Sequence, residues 1–268
     1  MREAMKEDDR EIITGIARAH ALDYYLSALL APRKYRDDLL VLAAFEAEID
    51  RIPRQVTDPM VAEIRLQWWR DWIDAMEPGS ASGNPVADHL AEVATRHRLD
   101  KERLIASVDA RSTLDAEPTP FILPGGVRAR LRARDFAAML RAANVMGAFP
   151  QGPDYEALEA AGLAVSFAQV AQSTRTNVGK VDGPHMGQIL NLKSEMQMAR
   201  QNLALLRQHA RSWSPRMRLA ALPAALVEPY LRACERGAGQ DATEEQANTI
   251  LPMTRVWRLW WTARTGRF

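Results

Sequence analysis

The chain has 268 residues, enough for one large domain or two small ones with a sizeable buried core. Its 35 Lys and Arg balance 34 Asp and Glu, so no global basic field of the kind that recruits nucleic acid is present. A single cysteine, Cys234, excludes an internal disulfide and fits a reducing compartment.

The opening segment "MREAMKEDDREIITGI" carries acids and no apolar h-region, so neither a secretory signal nor a transit peptide is expected. No uncharged apolar run reaches the roughly 18 residues of a membrane span. The protein is therefore expected to be cytoplasmic, or peripheral at the inner face of the membrane. Good helix formers are abundant, and no alternating β-branched run is long enough for a strand. Breakers divide the chain into expected helices at 8–31, 34–52, 59–76, 86–97, 101–114, 127–146, 154–176, 186–212, 216–235 and 244–264. Asp58 is positioned to cap the third, with Pro59 at its first helical position. Pro53 should end or kink the second, and Pro252 should kink or divide the last. "EPGSASGNP" (77–85), "AEPTPFILPGG" (116–126) and "GKVDGPHMG" (179–187) read as loops. No composition shift marks a boundary, so one all-α domain over 1–268 is expected.

Three faces carry the chemistry. Along 34–52, helical periodicity puts Leu39, Ala43, Glu46 and Asp50 on one line, with Glu48 opposite. Glu46 and Asp50 thus form an i, i+4 carboxylate pair below an apolar stripe. Exposed, such a pair is a solvated helix end; buried, it needs a cation or a shared proton. Along 59–76 the apolar residues span a wide arc, which predicts a largely buried helix. Arg65 falls inside that arc, so it is expected to pair with Glu46 or Asp50. Along 154–176, Gly162, Ser166, Gln169 and Ser173 form a neutral polar line that Asn177 continues. It reads either as a close helix contact or as a cavity lining.

The remaining candidates read as structural. His20, His89, His97, His185 and His209 lack metal-ligand spacing and are expected to be surface or satisfied histidines. Cys234 is expected to be a buried small apolar residue. Asp109 and Asp115 flank Arg111, which suggests a salt-linked helix end. In "TRVWRLWWTARTGRF", Trp257, Trp260 and Trp261 share a side with Ile250 and Met253, while Arg255 and Arg258 lie away from it and Arg264 and Arg267 follow. Such a helix either packs on the bundle or lies at a membrane interface. Trp213 in "HARSWSPRMR" reads as part of a helix–helix junction.

The stretches "ARAHALDYYLSALLAPRKYRDDLLVLAAFEAEIDRI", "IRLQWWRDWID", "ASVDARSTLD" and "LPAALVEPYLRA", in this order and before a Trp-rich end, resemble the squalene/phytoene synthase family. The resemblance implies an isoprenoid-synthase-type helical bundle around a central cavity. Active members join two prenyl diphosphates head to head, with Mg²⁺ held by Asp-rich motifs on two facing helices. In the first motif, Phe45 and Asp50 match, Ala47 stands where Arg is expected, and Arg51 and Arg54 replace the other two acids. In the second, Gly162 and Ala164 match. Ser166, Gln169, Gln172, Ser173 and Asn177 replace its Gln, Asn, Arg and two Asp residues.

Mg²⁺ needs carboxylate oxygens in near-octahedral array, and diphosphate departure relies on that charge. The resemblance therefore implies a vestigial site of Glu46, Asp50, Arg54, Arg65, Gly162, Ser166, Gln169, Ser173 and Asn177. Asp50 is the residual acid, no catalytic residue is assigned, and no cofactor is expected. The "RLQWWRD" helix with degraded acids is similar to a branch of the family that includes an assembly factor for respiratory complex I. That likeness implies a non-catalytic role with complex I subunits or other assembly factors as partners, or prenyl-lipid binding. The alternative is an active prenyl transferase using farnesyl or geranylgeranyl diphosphate and Mg²⁺.

Overall fold

A computed structural model describes residues 5–56, 58–77, 79–112, 131–178, 186–236 and 250–268, without the side chains of 175–178 and 186–190. Every regular element among them is helical. The chain divides into two compact units, Met1–Phe149 and Pro150–Phe268.

In the first unit α1 (Glu7–His20) and α2 (Leu22–Leu30) replace the single expected helix 8–31, with Ala21 between them outside helical geometry. Next come α3 (Arg33–Gln55), α4 (Pro59–Ala75), α5 (Pro85–His97) and α6 (Lys101–Asp109). A π-helical turn (Arg132–Phe136) leads into α7 (Ala137–Val145). The α3 helix is the axis of this unit. Its unbroken run from Leu39 to Phe45 is buried on every face, and α1, α2, α4, α5 and α7 pack around it. Pro53 lies inside α3, which runs two residues past it to Gln55, so the helix does not stop there. Asp58 caps α4 by accepting from the Met60 N–H at 2.8 Å, as its position predicts. Asn84 likewise caps α5, accepting from Val86 and Ala87.

The α4 helix departs from expectation. Only Ala62, Leu66, Trp69 and Ile73 are buried within it, while Met60, Val61, Ile64 and Trp68 are exposed. Trp69 packs edge-on against Phe45 of α3, with ring centroids 5.3 Å apart. Trp72 donates its indole N–H to the Ala87 carbonyl at 3.1 Å. The wide apolar arc is thus split between an inner stripe and an outer one.

The second unit contains α8 (Pro153–Val178), α9 (Met186–His209), α10 (Pro215–Ala220), a 3₁₀ segment (Leu222–Leu226), α11 (Val227–Arg236) and α12 (Pro252–Thr265). The α8 and α9 helices lie along each other. Buried Ala157, Ala160, Ala161, Ala164, Ala168 and Ala171 give α8 a thin profile that lets neighbours approach closely. The expected helix 216–235 is interrupted because Pro223 has no N–H to continue the ladder, and Leu222–Leu226 coil tightly and fully buried. Pro252 neither kinks nor divides the last helix: it stands at the first turn, and 237–249 are outside the described residues. Gly266 ends α12 at φ 67, where a Cβ would lie 2.8 Å from Arg218 Nε. That left-handed step returns the chain so that Phe268 meets Trp213 edge-on at 6.2 Å. Trp213 is buried and donates to Asp154 at 2.8 Å, which bears out the junction. Cys234 is buried, as expected.

Candidate functional site

Of the carboxylate pair on α3, Glu46 is buried and Asp50 half-buried, and both are answered from within the first unit. Glu46 is 7% exposed and accepts a hydrogen bond on each oxygen. Arg111 Nη2 reaches Oε2 at 2.7 Å, and Arg141 Nη2 reaches Oε1. One turn on, Asp50 Oδ1 accepts from Arg111 Nε at 2.9 Å and from Arg134 Nη2 at 3.2 Å. Its Oδ2 accepts from Arg54 at 3.2 Å. Arg111 therefore bridges both acids through one planar fork, a geometry that suits guanidinium and not ammonium.

Other elements tie the cluster down. Arg111 Nη1 donates to the Ser107 carbonyl at 2.8 Å, and Arg141 Nη1 donates to the Ser107 hydroxyl at 3.0 Å. That hydroxyl donates in turn to the Ala133 carbonyl at 2.8 Å, at the π-helical turn. The same turn supplies Arg134 and the buried Asp135, which accepts from the Tyr24 hydroxyl of α2 at 2.7 Å. Three carboxylates and three guanidiniums, from α3, the end of α6, the π-helical turn and α7, thus share one region, with the exposed Arg54 at its rim.

Burial opposes charge throughout, and the pairing decides the outcome. On Arg111, burial is outweighed by Glu46 and then Asp50, which hold its guanidinium above the ordinary value. Burial pulls Arg141 down, and the like charge of Arg111 offsets part of what Glu46 restores. A guanidinium starts high enough to stay protonated regardless. Burial would raise Asp50, but Arg111, Arg134 and Arg54 together hold its carboxyl below the usual range. Burial, then the Asp135 carboxylate, pushes the Tyr24 phenol well above its ordinary value.

The expected Arg65 pairing does not form. Arg65 is exposed and lines a separate cleft of about 250 Å³ with Glu48, Arg51, Trp68 and Trp69, while Glu46 and Asp50 take their cations elsewhere. The cause is the partial exposure of α4, which points Arg65 into the outer stripe. Arg51 binds Glu48 at 2.9 Å and Arg54 binds Asp50, so both motif arginines neutralise carboxylates of their own helix. Asp109 pairs with Arg70 at 2.6 Å and leaves Arg111 to the interior; Asp115 lies outside the described residues. Among the histidines, His97 meets Asp38 at 2.8 Å and His89 meets Asp9 at 3.2 Å, as satisfied residues; His185 lies outside the description.

On α8, Gly162 and Ser166 are buried, Gln169 is half-buried and Ser173 is exposed. The Asn177 side chain lies outside the described residues. Thr174 donates to Glu195 of α9 at 3.2 Å, and burial pushes that carboxyl up. Sequence reasoning missed Glu195, Tyr24, Ser107, Arg134, Asp135 and Arg141. Arg141 did leave a signal: it stands alone in the apolar run "DFAAMLRAANVMGAF", and a cation so placed demands a buried acid.

These residues do not fit Mg²⁺. The ion needs open carboxylate oxygens, whereas every oxygen of Glu46 and Asp50 already accepts from a guanidinium, and four fixed positive charges would oppose it. Among the described residues, no group of three or more His, Cys, Asp or Glu is placed to hold a metal.

The squalene/phytoene synthase family profile matches residues 17–148, a segment within the first unit. Complex I assembly factor 6 of Bos taurus is 29% identical over 96 residues, which is 36% of this chain and 29% of that protein. Its Drosophila melanogaster homologue is 31% identical over 103 residues, 36% of this chain and 31% of that one. The chain thus spans under a third of the length of the curated relatives it matches. The squalene synthase HpnC of Alicyclobacillus acidocaldarius superposes with a TM-score of 0.65 at 17% identity, covering 86% of this chain and 94% of that one. A dehydrosqualene synthase solved with a ligand gives 0.71 at 10% identity, covering 96% of each. Residues 17–148 thus match the squalene/phytoene synthase family, and over most of its length the chain shares the helical fold of these synthases.

Proposed function

We propose that this chain is a non-catalytic synthase-like protein that works in the assembly of respiratory complex I, with complex I subunits or other assembly factors as partners. One observation carries the reading. The acids that α3 retains are saturated by arginines of the same unit, so the first motif is a structural ion cluster and not an open metal cradle. The neutral line on α8 supports it, since Ser166 and Ser173 supply no carboxylate. The likeness to complex I assembly factor 6 supports the choice of partner. The same reading places the chain at a membrane surface, with its C-terminal helix as the contact.

Deletion in the native host, with complex I assembly and NADH oxidation as readouts, tests the role. Loss of both, restored by the intact chain, is expected; normal levels overturn the assembly reading. Incubation of the pure protein with farnesyl or geranylgeranyl diphosphate and Mg²⁺ tests the absence of catalysis. No diphosphate release is expected. Release that disappears in Asp50→Ala would establish the prenyl transferase alternative. Thermal stabilisation by prenyl lipids without turnover would move the role to lipid binding.

A further inference from the structure

The α12 helix is turned inside out relative to an ordinary surface helix. Met253, Val256, Trp257, Trp260 and Trp261 are all exposed, and helical projection at about 100° per residue puts them within about 140° of arc. Leu251, just before the helix, is exposed too. The opposite side holds the polar anchors. Arg255 donates to the Tyr230 hydroxyl at 2.9 Å, Arg258 donates to the Ala225 carbonyl at 3.2 Å, and Thr262 is buried with its hydroxyl on the Arg267 carbonyl at 2.9 Å. Leu259 is the apolar contact of that inner side. The helix docks through Leu259 and Thr262 and leaves three indoles outside. Trp257 and Trp261 stack on each other at 5.7 Å, and Arg264 lies over Trp260 at 5.9 Å.

Among the described residues of α12 and the segment 196–227, the charge is of one sign. Residues 250–268 contain Arg255, Arg258, Arg264 and Arg267 and no acid. Residues 196–227 contain no acid either, and their Arg207, Arg211 and Arg218 gather at the C-terminal end of α12. Arg207 donates to the Phe268 carbonyl at 2.8 Å, and Arg218 flanks Gly266 while donating to the Arg211 carbonyl at 3.1 Å. The nearest acids on α11, Glu228 and Glu235, are already bound by Arg200 and Arg232.

We infer that the outer face of α12 is a docking surface for an anionic lipid membrane, with the indoles seated at the headgroup level and the surrounding arginines on acidic headgroups. Tryptophan prefers that boundary, and an amphipathic helix flanked by arginine binds there by buried apolar area plus charge. No helix among the described residues is long and apolar enough to cross the membrane, so α12 lies in the interface plane. A symmetric contact with a second copy is disfavoured, because it would set the same arginines against each other. The inference deepens the membrane-surface position proposed above and does not depend on the lack of catalysis.

Full-length chain is sedimented with vesicles of phosphatidylcholine mixed with phosphatidylglycerol, and with vesicles of phosphatidylcholine alone. Binding to the anionic vesicles, weakened by salt and accompanied by a blue shift of indole emission, is expected. The Trp257→Ser/Trp260→Ser/Trp261→Ser variant should lose more than about tenfold of that binding while its helical content and cooperative unfolding are kept. Arg264→Glu/Arg267→Glu, which keeps every indole, should lose a similar factor. No vesicle binding by the intact chain, or binding by either variant equal to that of the intact chain, overturns the inference. So does a concentration-dependent dimer that the Trp variant dissolves in the absence of lipid. A chain that binds vesicles while its deletion leaves complex I intact keeps this surface and loses only the assembly role.

Discussion

The first unit hides charge and the second displays tryptophan. Around α3 a cluster of acids and arginines is buried; on α12 three indoles face outward. Each inverts the usual placement, and the two differ in whether the chain resolves the inversion itself. Glu46, Asp50, Arg111 and Arg141 find their complements within 61 to 95 residues of sequence, so that region is complete as folded. Trp257, Trp260 and Trp261 lie against one another and Arg264 yet stay exposed, and it is there that the membrane contact is proposed.

The contrast is sharpest in stability. Glu46→Ala leaves Arg111 and Arg141 facing each other in the interior with no anion between them. It should cost about 3–5 kcal/mol, read from urea unfolding, as for one partner removed from a buried ion pair. An equal or smaller loss than for a surface substitution would mean water enters and solvates the cluster. Asp50→Asn removes charge from a site one turn nearer solvent and should cost less, about 1.5–3 kcal/mol for hydrogen bonds to a charged group.

The cluster also predicts opposite ends of the pH profile. The Asp50 carboxyl is lowered in the fold, so its contribution is present above its unfolded value near 3.9 and disappears as pH falls through the lower folded value. Asp50→Asn should therefore flatten the acid limb of a stability curve below about pH 4. The Tyr24 phenol is raised in the fold, so the unfolded chain loses its proton first as pH climbs past about 10. Stability should fall there, and Tyr24→Phe should remove that part of the fall.

Periodicity showed the helices and motif order exposed the missing acids, because both are local properties. The burial of the Glu46–Asp50 pair was legible as a question: the line Leu39, Ala43, Glu46, Asp50 runs straight from an apolar stripe. Its answer was not legible, since Arg111, Arg134 and Arg141 come from elements 61 to 95 residues away. Arg65 looked the better partner by proximity on the next helix. The split of α4 into inner and outer stripes was equally hidden. Trp68 and Trp69 are adjacent and identical in kind, yet one is exposed and the other packs on Phe45. An apolar arc in sequence gives the direction of a face and not its width.

Two substitutions of large side chains test the surface half of the contrast, and both should do little. Trp257→Ser removes an exposed indole whose contact is a stack on Trp261, so the cost should stay below about 1 kcal/mol, the worth of one aromatic pair. Arg65→Ala is expected below about 0.5 kcal/mol, the level of an ordinary surface change, because its guanidinium is exposed in the α4 cleft. A loss of 3 kcal/mol or more, the cost of a broken buried pair, would instead place Arg65 among the cations that hold Glu46 and Asp50. The arginine set assigned here to α6, the π-helical turn and α7 would then be incomplete. Measuring Arg65→Ala in a Glu46→Gln background separates the two cases: additive effects leave Arg65 outside the cluster, and a coupling above about 0.5 kcal/mol brings it in.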